Sequence, residues 1–293
     1  PDEKRHAPTP PDLLEHEVSH SMPALAQATA IEGVRRLIAY QGAGYAKLYL
    51  NRLRRIADAD AAAGARGALV KEVARHLAVR MSYEDVVRVA QAKISPARMR
   101  RIAREELRVK DEPFSVHDFL KPGIEELCQL LPSFLARPIL HIAQKKGWLG
   151  RVYFGMEINS TSVGGYLRFL LLAKLRKFRP YGHRYAQEQR QIESWLGLIV
   201  EAARRSGELS LEVAECARLI KGYGDTHARG LASYGTIEAR LIRPALAGHI
   251  PLARAADAVA SARTAALVDP EGESLAKCLA EIDGQAAFRI AAE

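Results

Sequence analysis

One stretch of this chain alternates clearly as a strand does. In residues 151–159 the apolar Val152, Phe154, Met156 and Ile158 alternate with Arg151, Tyr153, Gly155, Glu157 and Asn159, the period of two that a half-buried β-strand requires. Almost everywhere else the period is helical. Ile31, Val34, Ile38, Tyr45, Tyr49, Leu53 and Ile56 trace one face at helical spacing and predict a long helix. Leu69, Val73 and Leu77 continue the pattern. Ser82 with Asp85 resembles a capping box, and Ser95-Pro96 reads as a cap with a first-turn proline opening a helix to Leu107. Gly147 reads as the stop of segment 134–146. Further helices are predicted over 162–178, 184–205, 209–221, 227–246, 252–267 and 273–282.

A lone strand leaves its backbone donors and acceptors unpaired, so 151–159 needs a partner. Residues 113–117 alternate weakly and are the internal candidate, the alternative being an upstream region or another subunit. The expected fold is mainly α: a multi-helix domain with one small β element. Its expected organisation is a linker-like segment over 1–29, rich in proline and charge but holding one short helix, a helical domain over 30–250, and an Ala-rich helical tail over 251–293.

Composition narrows the class. Of 293 residues, 48% are hydrophobic and 26% charged, the mixture of a globular protein and not of a disordered tail, a collagen or a mucin. The longest apolar runs, 169–173 and 195–200, fall far short of the roughly 18 residues of a membrane span, so no membrane partner is expected. Cys128, Cys216 and Cys278 are an odd, widely spaced set with no C-x-x-C pair. They predict reduced thiols in a cytoplasmic protein. Neither a strand-linked G-x-G-x-x-G nor a P-loop is present.

Three constellations bear on chemistry. His16-Glu17-Val18-Ser19-His20 matches H-E-x-x-H, which in a zincin places two histidines on one helix face for Zn²⁺ and a Glu to activate water. Pro10-Pro11 and Pro23 bracket it and no third ligand motif follows, so an exposed polar helix is the preferred reading and no metal site is assigned. The second is KGYGDTHARG, 221–230. It places Lys221, His227 and Arg229 among glycine amides at a helix N-terminus, where the dipole favours anions, and these three are the anion-binding candidates. The structural alternative is that Gly222 ends one helix, Asp225 or Thr226 caps the next, and Asp225 neutralises Lys221 or Arg229.

The third constellation is charge. The chain carries 43 Lys and Arg against 34 Asp and Glu, a net +9, with a pI near 9.5. Within 167–190 lie Arg168, Lys174, Arg176, Lys177, Arg179, Arg184 and Arg190 against Glu188 alone, and 98–110 is basic as well. Tyr166, Phe169, Phe178, Tyr181 and Tyr185 interleave with the first run. Such a surface attracts nucleic acid, anionic cofactors or an acidic protein, although no RRM, KH or zinc-finger signature is present. Arg168, Lys174, Arg176, Lys177 and Arg179 are the partner-docking candidates, with a solvated basic face as the bland alternative.

The strings EGVRRLIAYQGAGYA (32–46), VARHLAVRMSYEDVVRVAQAK (73–93), HDFLKPGIEELCQLLP (117–132) and ECARLIKGYGDTHARG (215–230) resemble the C-terminal helical region of indolepyruvate ferredoxin oxidoreductases, in the β-subunit form where a small oxidoreductase domain precedes it. The resemblance covers residues 30 to 245 and is strongest in the last string. It implies a subunit of a 2-oxoacid oxidoreductase complex that oxidatively decarboxylates aryl pyruvates. Thiamine diphosphate and iron–sulfur clusters are implied in the catalytic α subunit, and ferredoxin and coenzyme A as co-reactants. Gly224-Asp225-Thr226 is not the thiamine motif, and the cluster cysteines are missing. No cofactor and no catalytic residue is therefore expected in this chain. The expected role is a non-catalytic assembly or docking domain, the alternative a stand-alone helical nucleic-acid-binding module.

Overall fold

A computed structural model describes residues 10–107, 113–222 and 224–290. The chain divides into two units, Pro1–Tyr83 with Arg190–Glu293, and Glu84–Gln189.

The first unit opens with α1 (Pro10–Ser21). Leu14, Val18 and Met22 recur every four residues and are buried, so this end of the predicted linker packs against α2 (Ala24–Tyr40) as a docked helix. The apolar face read as one long helix belongs to two, α2 and α3 (Ala43–Ala62). Gly42 between them has φ 129°, a backbone region that side chains rarely enter, and there the chain turns back to pack α3 on α2. Gly33 permits this closeness, because a Cβ there would lie 2.4 Å from the Tyr49 hydroxyl. That hydroxyl donates to the Ala74 carbonyl at 3.0 Å, on α4 (Ala68–Met81). The buried Asp60 carboxylate accepts from the amides of Gly67, Leu69 and Val70 at 2.7, 2.9 and 3.2 Å. A side chain of the preceding helix thus satisfies the free donors that begin α4.

The second unit holds α5 (Val86–Lys93), α6 (Pro96–Arg101), strand β1 (His117–Leu120), α7 (Ile124–Cys128), α8 (Ser133–Lys145), strand β2 (Met156–Asn159) and α9 (Val163–Lys174). Asp85, and not Ser82, caps α5: its carboxylate accepts from Arg88 N at 2.7 Å, while the Ser82 hydroxyl turns back to Ala78 O. From Ser95-Pro96 the helix keeps α geometry only to Arg101 before a π-helical stretch, Ile102–Glu106.

The two strands form an antiparallel pair with His117 opposite Asn159 and Leu120 opposite Met156. The β element is therefore internally paired, as the sequence allowed, but both strands are shorter or later than predicted. Only the last four residues of 151–159 are strand, and the partner begins at His117, the last residue of the predicted 113–117. Ile158 turns inward to pack with Ala90 of α5 and with Phe169 and Ala173 of α9. Gly165 lets α9 meet β2 directly, since a Cβ there would lie 1.8 Å from the Asn159 carbonyl oxygen.

Next comes α10 (His183–Ala203), whose residues from Arg190 onward belong to the first unit. That unit is completed by α11 (Gly207–Glu215), α12 (Gly224–Ile237), α13 (Arg243–Leu246), α14 (Leu252–Val268) and α15 (Glu273–Ile290). Trp195 is fully buried and its Nε1–H donates to Val213 O at 3.0 Å, tying α10 to α11. The predicted Ala-rich helical tail is built into this unit. Ala255, Val259, Ala262 and Ala266 bury one face of α14 against α11 and α12, and Leu275 and Leu279 bury α15. Alanine's small side chain lets these helices approach closely, so weak amphipathicity does not mean weak docking. Among the described residues no helix is long and apolar enough to cross a membrane.

Candidate functional site

The second unit concentrates the charge. Residues 84–189 hold nineteen lysines and arginines against eleven acids, a surplus of eight in a chain whose total is nine. The same unit contributes the exposed large apolar side chains. Among the described residues all of them lie there except Leu13, Leu25, Val79 and Val268. Scattered exposed apolar residues are normal, but a concentration of them bordered by one sign of charge marks an interaction surface.

Helix α9 is the clearest part. Its inner face, Gly165, Phe169 and Ala173, is buried and packs on α5 and β2. On its other side Val163, Leu167 and Leu171, spaced by four, are 79%, 54% and 66% exposed. A helix that is apolar all round is normally covered all round, and this one is covered on one side only. Beyond it, Phe178 and Tyr181 are exposed as well. The preceding helix, α8, repeats the arrangement, burying Ala136 and Ala143 while Leu135, Ile139 and Ile142 stay open.

The predicted docking residues divide accordingly. Arg168, Lys174, Arg176 and Lys177 are exposed on or just after α9, where they rim the apolar stripe. Arg179 does not belong with them. It is 1% exposed and forms a two-pronged pair with the equally buried Asp85, so it holds the unit together and offers nothing to a partner. Arg184 is likewise turned inward onto Glu188.

Lys221, His227 and Arg229 lie around the start of α12. Arg229 pairs with Glu271 at 2.8 Å, a carboxylate already in the place of the anion it would bind. The glycines have structural work. Gly222 turns the chain at φ 80°, and a Cβ on Gly230 would lie 2.0 Å from Leu219 O.

Residues 26–240 match a protein family described as a family of unknown function, DUF6537. The match spans well over half of the chain. The chain belongs to the DUF6537 family. No curated protein and no solved structure matches it.

The DUF6537 segment contains a cluster that sequence reasoning missed. Glu72, His76 and Glu215 bring three potential ligand atoms within 4.8 Å of one another. Arg75 Nη2 stands among them, donating to Glu72 Oε2 at 2.6 Å and to Glu215 Oε1 at 2.8 Å, and lying 3.1 Å from His76 Nε2. A guanidinium thus takes the position a metal cation would need. Burial pulls His76 below its usual titration range, with Arg75 adding to the effect. Glu215 is held well below the carboxylate range despite burial, through its hydrogen bonds with His76 and its neighbours. The spacing of Glu72 and His76 on one helix was legible. Glu215, far off in sequence on α11, was not.

The H-E-x-x-H motif precedes the DUF6537 match. Glu17 is engaged by Lys47 and Arg54, while the His16 and His20 rings lie 4.2 Å apart and His20 Nδ1 bonds to the His16 carbonyl at 2.8 Å. These contacts organise α1 on α3. Cys128 and Cys216 are buried and Cys278 partly so, and burial pushes the Cys216 thiol up to about 12. Among the described residues no potential metal-ligand group includes a cysteine.

Proposed function

We propose that this DUF6537 protein is a non-catalytic docking domain of an indolepyruvate-type 2-oxoacid ferredoxin oxidoreductase. The resemblance in its sequence supplies the complex. The outer face of α9 supplies the role and carries the reading: three large apolar side chains at spacing four, open on a helix otherwise built for the interior. Covering each would contribute up to about 1.5–3 kcal/mol, an apolar anchor to which the other contacts of an interface add, and the catalytic α subunit is the partner assigned to it. The basic rim of Arg168, Lys174, Arg176 and Lys177 then steers acidic surfaces, ferredoxin among them, toward the assembled enzyme. Thiamine diphosphate and iron–sulfur clusters, and the oxidation they perform, belong to the α subunit.

The test is co-purification with the α subunit. Leu167→Asp with Leu171→Asp should abolish it while leaving the helical circular dichroism of the chain intact. Retention of a full complex by that variant overturns the reading. In the assembled enzyme, reversing Lys174, Arg176 and Lys177 to Glu should raise the apparent KM for ferredoxin, most at low salt. An unchanged KM removes ferredoxin from the proposal, and salt-sensitive retention on RNA by the isolated chain would favour a nucleic-acid module instead.

A further inference from the structure

The second unit contains an open cleft of about 460 Å³ whose polar lining is Arg88, Gln91, Ser95, Arg98 and Arg101, with two alanines between them. Its origin is local. Arg88, Gln91 and Ser95 fall on one face of α5 and the turn that follows, and Arg98 and Arg101 stand one turn apart on α6. The bend at Ile94-Ser95 sets the two faces against each other. Among the described residues no carboxylate lines the cleft.

Arg98 is fixed in place. Its Nη2 donates to the buried Asp118 at 2.9 Å and its Nη1 to Lys93 O at 3.3 Å, while Lys93 shares the same Asp118 oxygen at 2.6 Å. Two cations therefore converge on one carboxylate and leave a local positive excess. Arg101 is 60% exposed, with a loose 3.5 Å pair to Glu106. Ser95 caps α6 without a side-chain hydrogen bond, and Gln91 Oε1 is buried with no hydrogen-bond partner.

We propose that this cleft binds the phosphoryl groups of a small polyphosphorylated ligand. Guanidinium forks match phosphate oxygens two at a time. Two forks, Arg88 and Arg101, exceed what one carboxylate, with two oxygens, can accept at both, whereas a diphosphate offers enough oxygens to engage both and the Ser95 hydroxyl, with Arg98, held on Asp118, adding positive charge. The site is independent of the docking reading, since it lies on α5 and α6 and uses none of the α9 rim.

Titration calorimetry of the full chain with inorganic pyrophosphate, in about 0.1 M salt, tests it. Saturable binding is expected. Arg88→Ala and Arg101→Ala should each weaken it about tenfold, with Arg88→Lys recovering only part of the loss. Lys145→Ala removes the same charge from elsewhere in the unit, at an exposed position, and should leave it unchanged. The exposure of Arg101 keeps its variant informative if Arg88→Ala unfolds. Absence of saturable heat up to about 1 mM ligand, or equal weakening by Lys145→Ala, overturns the site. Tighter, steeply salt-dependent binding of a single-stranded oligonucleotide overturns the small-ligand assignment.

Discussion

Arg179 donates from Nε and Nη2 to the two carboxylate oxygens of Asp85, at 2.6 and 3.0 Å, and both side chains are essentially without exposure. The same carboxylate caps α5 through Arg88 N, so one acid fixes a helix start and neutralises a buried cation. Removing one member of such a pair strands the other charge in a poor solvent. Arg179→Met should destabilise the protein by about 3–5 kcal/mol, and Asp85→Ala by at least as much, because it also loses the cap. Urea unfolding of the two single variants and the double variant checks this. The double should fall well short of the sum, and strict additivity would show that the pair is not the unit of stability.

The two faces of α9 make opposite predictions. Phe169 is fully buried, and Phe169→Ala should cost about 3–5 kcal/mol. Leu171 is 66% exposed, and Leu171→Ser should change the stability of the isolated chain by less than about 0.5 kcal/mol. A large loss from Leu171→Ser, measured by thermal unfolding, would mean that its face is already covered within the chain.

The helical class and the charge run were legible because periodicity and sign are local properties. Burial partners are not local. Arg179 sits in a run of cations that looks uniform along the chain, and only Asp85, far upstream, separates it from Lys177. Apolar periodicity likewise ran unbroken through Gly42, since the two helices it joins both turn that face inward, and the φ of 129° that divides them leaves no mark on the pattern beyond a glycine. The strand was readable from alternation, but its length was set by pairing with β1. On α9 the sequence shows apolar residues on both sides and does not say which side the fold leaves open.

The glycine-rich turn separates structural from ligand-binding demands. At Gly230 an added Cβ would strike the Leu219 carbonyl at 2.0 Å, so Gly230→Ala must displace backbone and should cost about 1–3 kcal/mol or more. At Gly235, on the same helix, nothing lies within 4 Å of the added Cβ, and Gly235→Ala should stabilise by roughly 0.5–1 kcal/mol. Melting temperatures by calorimetry should move in opposite directions. Equal, small shifts would mean that α12 does not pack on Leu219 as described.

His76 and Glu215 predict how acid acts on the first unit. His76 is 3.1 Å from Glu215 Oε1, and burial, reinforced by Arg75, keeps its pKa below the usual 6.5. The unfolded chain therefore binds this proton more readily, so the contribution of His76 is present above 6.5 and is lost as the pH falls toward the folded value. Glu215, held below its usual 4.5, contributes above that value and loses its contribution as the pH falls through its own lowered pKa. Stability should thus decline in two stages, one beginning near pH 6.5 and one below about pH 4.5. His76→Gln should flatten the first stage and leave the second, because glutamine keeps a donor for Glu215 and cannot charge. Unfolding temperatures measured from about pH 7.5 to about pH 2 decide the matter. An unaltered first stage in His76→Gln would assign it to another histidine.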